Sequence, residues 1–141
     1  MIVLDTNVIS ELRRKRPDPA ATAWLDRQRP EQLHLTSITL GEIDLGVRAL
    51  PPSQQRDALL AWCDELQTVM FAGRILPFDE HCARLWGRIV ESARMRGRQL
   101  EWRDSQIAAI VLSVEAQLVT RNTRHFEGLG IDLVDPFAMA S

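Results

Sequence analysis

The chain has 141 residues, of which 45% are hydrophobic and 26% are charged, and its formal net charge is −2. This size and composition predict one globular domain, residues 1–141, and exclude a disordered or fibrous chain. The small negative charge excludes a wholly basic nucleic-acid-binding protein, so affinity for RNA or DNA must come from a local patch. Because no apolar stretch is long enough to span a membrane and no signal peptide is evident, we expect a soluble cytoplasmic protein.

Short apolar runs that predict strands alternate along the chain with periodic segments that predict helices. The predicted strands are residues 2–4, 33–38, 75–76, 117–120 and 131–134. The predicted helices lie around 8–12, from 19 to before Pro30, from the second strand to about 50, from Ser53, from Asp79 to Gly97, and over 104–116. Such alternation favours a central, mainly parallel sheet between helices, so we predict a three-layer α/β sandwich.

The two long central helices have apolar residues at the spacing of one buried face. The helix from Ser53 is expected to bury Leu59, Trp62, Cys63, Leu66, Val69 and Met70. The helix after Asp79 is expected to bury Trp86, Ile89, Val90 and Ala93. The two cysteines, Cys63 and Cys82, fall in these helices, and we expect them to be reduced and buried rather than to form a disulfide framework.

Three acidic residues occupy predicted strand-to-helix transitions. Asp5 follows the first strand, Glu42 follows the second, and Asp104 opens the apolar stretch 105–110. In open α/β folds the carboxyl ends of parallel strands meet at one edge, so side chains placed there converge. Clustered carboxylates repel one another unless one takes up a proton or a cation offsets their charge. Because Mg²⁺ and Mn²⁺ prefer oxygen ligands, the pattern predicts a divalent metal site.

Each of these acids also has a structural alternative. Asp5 and Asp104 are both suited to cap the N-terminus of the helix that follows. Glu42 lies three residues after Thr39, and Thr-x-x-Glu is the capping-box pattern. Capping explains each residue singly, whereas one metal site explains all three together.

Four segments, spread in order over nearly the whole chain, carry a more specific signal. They are residues 1–10 (MIVLDTNVIS), 36–43 (TSITLGEI), 104–109 (DSQIAA) and 118–126 (LVTRNTRHF). Together they resemble PIN-domain ribonucleases, in particular the VapC/FitB-type toxins of bacterial toxin–antitoxin modules. The resemblance implies a PIN-like fold, Mg²⁺ or Mn²⁺ as cofactor, and hydrolysis of RNA by in-line attack that leaves a 5′-phosphate.

The resemblance also implies four acidic or polar catalytic residues. Three are Asp5, Glu42 and Asp104: Asp5 and Asp104 hold the cation, and Glu42 completes the site or orients the attacking water as a base. The fourth position falls on Asn122, where many members of the family have aspartate. Because asparagine adds no charge, we expect one tightly bound cation in the free protein.

Several neighbouring residues would support this centre. Thr6, Asn7 and Thr120 resemble the polar side chains with which the family orients carboxylates and water. For Thr6 and Asn7, local turn hydrogen bonds are an equal alternative. His125 stands where relatives often have an acid, and it could be a proton donor, a phosphate contact or a surface residue; a surface residue is the expectation for an isolated loop histidine.

Arginines near the predicted site are the candidates for RNA binding. Arg103, Arg121 and Arg124 flank predicted catalytic residues and are favoured for this reason. Arg94, Arg96 and Arg98 precede them, whereas the basic run 13–16 is better explained as solvated loop charge.

The resemblance implies protein partners as well. They are a small antitoxin and a second copy of the chain in a homodimer or larger assembly, with operator DNA bound only through the antitoxin and no membrane contact. Trp24 and Trp62 could serve such interfaces, although core packing is the default expectation for them.

Other functions fit the residues less well. An aspartyl-nucleophile phosphatase usually has a second aspartate where this chain has Asn7, and a response-regulator receiver needs a lysine near the late strands, whereas Lys15 is the only lysine. A further alternative is a catalytically weak or inactive PIN-like domain that acts mainly as an antitoxin-binding co-repressor, which Asn122 leaves open.

Overall fold

Five short strands form a parallel sheet in the computed structural model, which describes residues 1–138. The strands are β1 (Ile2–Leu4), β2 (Leu33–Thr36), β3 (Ile75–Leu76), β4 (Gln117–Val119) and β5 (Asp132–Val134). Their order across the sheet is β3-β2-β1-β4-β5, and all four pairings are parallel. β1 is therefore central, with Ile2 opposite Leu33 on one side and Gln117 on the other.

Helices cover both faces of this sheet. They are α1 (Thr6–Glu11), α2 (Pro19–Asp26), α3 (Ser37–Arg48), α4 (Gln54–Glu65), α5 (Glu80–Met95) and α6 (Trp102–Ser113). Because successive side chains of a strand point to opposite faces, Leu4 packs in one core with Val8, while Val3 packs in a second core with Ile107. The predicted three-layer sandwich is confirmed, and the sheet is parallel throughout residues 1–138.

The buried face predicted for the helix from Ser53 is wrong at the C-terminal end of that helix. Val69 and Met70 are exposed, at 70% and 38% of their surface, instead of buried. The last turn of this helix, Leu66–Met70, is π-helical, and the NH of Phe71 donates to the carbonyl of Leu66 at 2.9 Å. The wider turn shifts the helical phase by one residue, so Phe71, which is 4% exposed, takes the core position.

Other burial predictions agree with the structure, except that Leu59, Trp86 and Val90 are only half-buried. Trp24 and Trp62 belong to the core, and Cys63 and Cys82 are free and buried. Within residues 1–138 no helix has the length and apolar character needed to cross a membrane. The last three residues of the predicted domain, 139–141, lie outside the described part of the chain.

Candidate active site

Asp5 lies at the carboxyl end of the central strand and is only 5% exposed. Its Oδ1 accepts a hydrogen bond from the backbone NH of Thr6 at 2.8 Å, so it caps α1 as the capping alternative predicted. Its Oδ2 accepts from the hydroxyl of Thr120 at 2.7 Å. A cap needs only the first of these bonds, and the second ties the same carboxylate to the end of β4.

Thr120 is completely buried and organises the polar groups around Asp5. Its hydroxyl accepts from the backbone NH of Asn122 at 3.0 Å and from the side-chain amide of Asn7 at 3.3 Å. The carbonyl oxygen of the Asn7 side chain accepts from the backbone NH of Arg121 at 3.0 Å. Asn7 thus reaches across the sheet edge to the segment after β4, which a purely local turn contact does not do.

Glu42 lies in the second turn of α3, facing Asp5. The capping-box alternative with Thr39 is wrong, because α3 begins at Ser37 and its cap is Thr36, whose hydroxyl accepts from the NH of Thr39 at 3.0 Å. β2 consequently ends at Thr36 instead of residue 38. Glu42 accepts from the Thr6 hydroxyl at 3.2 Å and lies 3.5 Å from the Arg103 guanidinium. Thr6 therefore connects the two carboxylates, with its NH on one and its hydroxyl on the other.

Asp104 reaches the site from a helix that does not follow a strand. The prediction of a strand-to-helix transition here is wrong, because α6 follows α5 through a loop. The prediction that Asp104 caps the helix is also wrong: α6 begins at Trp102, and Glu101 is its cap, accepting from the NH of Asp104 at 2.8 Å. The Asp104 side chain is consequently free to point at the sheet edge from the first helical turn.

His125 is a direct partner of Asp104. Its Nδ1 lies 2.9 Å from Oδ2 of that carboxylate, and 55% of its side-chain surface remains exposed. His125 is thus a surface residue, as expected, but one that contacts a candidate catalytic carboxylate. The imidazole therefore lies beside the Asp104 carboxylate.

Burial raises the pKa of all three carboxyl groups, and repulsion from other carboxylates adds to the rise at Glu42 and Asp104. Desolvation by burial is the largest cause that raises the pKa of Asp5, Glu42 and Asp104. The charge of Asp5 further raises the pKa of Glu42, and together with Glu101 it raises that of Asp104. Asp5 therefore acts electrostatically on both other acids, which places all three in one cluster.

Asn122 takes part in the site through its backbone. Its NH is the donor to Thr120, its side chain is exposed, and it precedes a short 3₁₀ turn, residues 123–125, without capping it through the side chain. The amide is thus near the cluster and is not held against it.

The predicted RNA-binding arginines differ in their contacts. Arg103 pairs with Glu42, the Arg121 guanidinium lies 3.8 Å from the centre of the Phe137 ring, and Arg124 is exposed. Arg94 and Arg96 are also exposed, whereas Arg98 is bound to backbone carbonyl groups of the segment that carries His125. Arg103 thus contacts an acid of the cluster directly, and Arg98 and Arg124 line a cavity together with Asp104.

The donor atoms of the cluster suit a hard divalent cation, although they do not form a finished cage. Within residues 1–138, no three His, Cys, Asp or Glu side chains are arranged closely enough to hold an ion as a group. Carboxylate oxygens from Asp5 and Asp104 are nevertheless the ligands such cations prefer. Burial is the main cause that raises the pKa of both groups, and a nearby cation would offset the cost of burying their charge. These residues fit a cation on chemical grounds.

Sequence reasoning missed the roles of two residues that shape this site. Glu101 caps α6 and adds its charge beside Asp104, and Arg98 binds the backbone around His125. The Glu-x-x-Asp spacing of residues 101–104 is a capping signal that could have identified the first. No local pattern identifies the second, because its contacts are 26 or 27 residues away in the chain.

The chain is similar over nearly its whole length to known proteins. Residues 2–130 match the PIN domain family. The chain is 37% identical over 140 residues to the VapC ribonuclease Y4jK of Sinorhizobium fredii, with 99% of this chain and 100% of that protein covered. It is 36% identical over 137 residues to the toxin FitB of Neisseria gonorrhoeae, with 97% and 99% covered. The solved structure of FitAB bound to an IR36 DNA fragment contains a similar chain, with a TM-score of 0.92, 35% identity and coverage of 100% and 99%.

Proposed function

The chain belongs to the PIN domain family, and from this premise we propose that it is a Mg²⁺- or Mn²⁺-dependent ribonuclease, the toxin of a toxin–antitoxin system. The observation that carries the proposal is the electrostatic cluster of Asp5, Glu42 and Asp104 at one edge of the parallel sheet. A relative of nearly the same length is a VapC ribonuclease, and another is the toxin FitB. Because cellular RNA is the proposed substrate, the proposed place of action is the cytoplasm.

Each residue of the cluster has a distinct proposed task. Asp5 and Asp104 would hold the cation, and Thr120, Asn7 and Thr6 keep the Asp5 carboxylate in place. When bound, a divalent cation lowers the pKa of a water molecule and offsets negative charge on the phosphoryl oxygens.

Glu42 is the proposed base. Its raised pKa brings proton acceptance closer to neutral pH than for an ordinary glutamate, which suits a group that takes a proton from the attacking water. The water oxygen bonds to phosphorus as the bond to the 3′-oxygen breaks in line with it. The departing 3′-oxygen takes up a proton from solvent, which leaves a 5′-phosphate on one product and a 3′-hydroxyl on the other.

Asn122 is expected to affect the activity of this site through the number of cations that the site binds. Its exposed amide contributes no negative charge, so we propose one tightly bound cation rather than two. The competing function, an inactive domain that serves mainly as an antitoxin-binding co-repressor, also depends on this residue. The two functions differ in whether the purified protein cleaves RNA.

Cleavage of RNA by the purified protein tests the proposal. Wild-type protein is expected to cleave single-stranded RNA with Mg²⁺ or Mn²⁺, and to stop when EDTA is added. Asp5→Ala and Asp104→Ala should each lose about a thousandfold in rate, which corresponds to several kcal/mol of lost transition-state stabilisation. Sequencing of the RNA ends should show 5′-phosphates.

A control variant is needed to show that the loss of activity is specific to Asp5 and Asp104 and does not follow from the removal of any aspartate. Asp26 is an exposed aspartate at the end of α2, away from the cluster, so Asp26→Ala should cleave RNA like wild type. Undiminished cleavage by Asp5→Ala or Asp104→Ala would refute the catalytic assignment. No cleavage by any form of the folded protein would favour the co-repressor alternative.

An apolar groove next to the cluster is the surface that we propose for the antitoxin. The groove has a volume of about 340 Å³ and extends from Thr6 and Glu42 to Leu59 and Trp62. A peptide bound along it would lie beside Glu42 and obstruct access to the carboxylates. A small antitoxin partner, operator DNA bound only through that partner, and a homodimer or larger assembly complete the proposal; the similar protein FitB occurs in a FitAB complex on DNA.

A glycine in this groove allows the antitoxin proposal to be tested without disturbing the core. Gly46 lies in α3 and lines the groove, and an added Cβ would meet no atom within 4 Å. Gly46→Leu should fill the groove and weaken antitoxin binding by about tenfold or more, while RNA cleavage persists. Gly41→Leu on the same helix, which is equally open but outside the groove lining, is the control. Equal antitoxin affinity of the two variants would place the antitoxin elsewhere.

A further inference from the structure

A cavity of about 270 Å³ opens beside Asp104, between the loop that leads into α6 and the segment after β4. We call it the Gln99 cavity. It is lined by residues 98–101, by Asp104, and by Arg124 and His125. It therefore adjoins the proposed catalytic cluster through Asp104, and its remaining walls come from residues with no part in the proposed reaction.

Hydrogen bonds of Arg98 and Glu101 hold the walls of the Gln99 cavity in place. The guanidinium of Arg98 donates to the carbonyl oxygens of Arg124 at 3.2 Å and of His125 at 3.0 Å, and it also contacts that of Glu127. In the same loop, the Glu101 carboxylate accepts the capping hydrogen bond from the NH of Asp104. The loop before α6 and the segment after β4 are thus joined, so the cavity is a preformed feature.

The groups that face this cavity include two without a partner of their own. Within residues 1–138, the side chains of Gln99 and Arg124 form no hydrogen bond or salt bridge, and both are exposed. Arg98 adds a second positive charge, which its carbonyl partners do not neutralise because they carry no net charge. Leu100, half-buried, supplies an apolar wall.

We propose that the Gln99 cavity binds the nucleotide next to the scissile phosphate and reads its base through the Gln99 amide. This inference rests on the proposed ribonuclease function and adds a determinant of sequence specificity to it. Arg124 binds the phosphate of that nucleotide, and the imidazole of His125 with the side chain of Leu100 contacts the base.

The chemistry of the lining favours a nucleotide of single-stranded RNA. An amide side chain presents a donor and an acceptor together, which is the pattern needed to read a base edge. Single-stranded RNA can turn an unstacked base into such a cavity, where it stacks on aromatic or guanidinium groups. The two arginines offset the charges of Glu101 and Asp104, so a phosphate is not repelled, and the volume suits one nucleotide rather than a folded domain.

The base preference at the cleavage site tests the inference. A pool of short RNAs with random sequence is cleaved by wild type, Gln99→Ala and Arg124→Ala, and the new 5′ ends are sequenced. Gln99→Ala should lower the preference at one position adjoining the cut by about fivefold or more, with little change in total rate on the mixed pool. Arg124→Ala should raise KM alike for all sequences and reduce the salt slope of log affinity by about 0.7.

Two exposed residues far from the cavity provide matched controls. Gln67→Ala, after α4, and Arg27→Ala, after α2, should cleave with the wild-type preference and salt slope. Cleavage with the same base preference in wild type and Gln99→Ala would overturn this inference and leave the ribonuclease proposal intact. Absence of cleavage by wild type would overturn the ribonuclease proposal and the inference with it.

Discussion

The two halves of the candidate site are built in opposite ways. On the strand side, Asp5 and Thr120 are buried and are bonded to each other and to Asn7. On the helix side, the backbone NH of Asp104 donates to Glu101, and its carboxylate bonds to the exposed His125. One half is a closed hydrogen-bonded network in the sheet edge, and the other faces open space.

This difference indicates in which half of the site residues can be replaced without destabilising the fold. A buried hydroxyl that loses its partners leaves unsatisfied polar groups in the core, whereas an exposed pair can exchange its bond for water. We therefore expect changes on the strand side to affect both stability and the proposed activity. The helix side, with the Gln99 cavity next to it, is the part where binding properties can vary at little cost to folding.

Replacement of Thr120 should have the largest effect on stability and RNA cleavage taken together. Thr120→Val keeps the side-chain shape but removes the hydroxyl that bonds Asp5, Asn7 and Asn122. The free energy of unfolding should fall by about 1–3 kcal/mol, and activity by about 10- to 100-fold, since the carboxylate loses its support. Urea denaturation and RNA cleavage measure the two effects.

Thr39→Val is the control for this variant. Thr39 is also fully buried, but its hydroxyl bonds only to that of Thr36 among residues 1–138. We expect a stability loss without a loss of activity in the folded protein. If both variants lost activity equally, the network around Asp5 would have no special role.

Replacement of His125 should lower activity with little effect on stability. His125→Ala removes the contact to Asp104, and activity should fall by about tenfold because the carboxylate loses a partner. The free energy of unfolding should change by about 0.5 kcal/mol or less, because the histidine is half-exposed. His81→Ala, at an exposed histidine of α5, is the control. A stability loss as large as that of Thr120→Val would break the contrast between the two halves.

The smallest expected effect is the pH dependence due to Glu42. Burial, with repulsion from Asp5, raises its pKa in the folded state. Between the ordinary pKa and the raised value, the folded protein binds more protons than the unfolded one, so this residue's contribution to stability falls as pH rises. In metal-free protein, wild type should therefore lose stability relative to Glu42→Gln as pH rises through that interval. Denaturant titrations in EDTA at several pH values measure this, and a relative gain of stability would contradict it.

The sequence predicted the layers of the fold because hydrophobic periodicity is a local signal. All five strands appear close to their predicted positions, and the helix from Asp79 buries Ile89 and Ala93 as expected. The wrong predictions of strand length and burial occur where the backbone departs from regular strand or α-helix geometry, which periodicity alone does not reveal. The Thr36 cap shortened β2, and the π-helical turn after α4 moved Phe71 into the place expected for Val69 and Met70.

The acids of the site could be selected from the sequence, but the reasoning for one of them was partly wrong. Asp5 follows a strand, whereas Asp104 reaches the same edge from a helix that follows another helix. His125 contacts Asp104, which is 21 positions away in the chain. Arg98 donates to the carbonyl of His125, which is 27 positions away. Such pairings depend on how the two loops pack, which periodicity and capping signals do not encode.

Binding of Mn²⁺ to the purified protein tests most directly that Asp5 and Asp104 hold one cation. Calorimetric titration should give one tight site per chain for wild type, and Asp5→Ala and Asp104→Ala should each abolish it. Asp26→Ala should bind like wild type. Unchanged Mn²⁺ binding in both site variants would contradict the account.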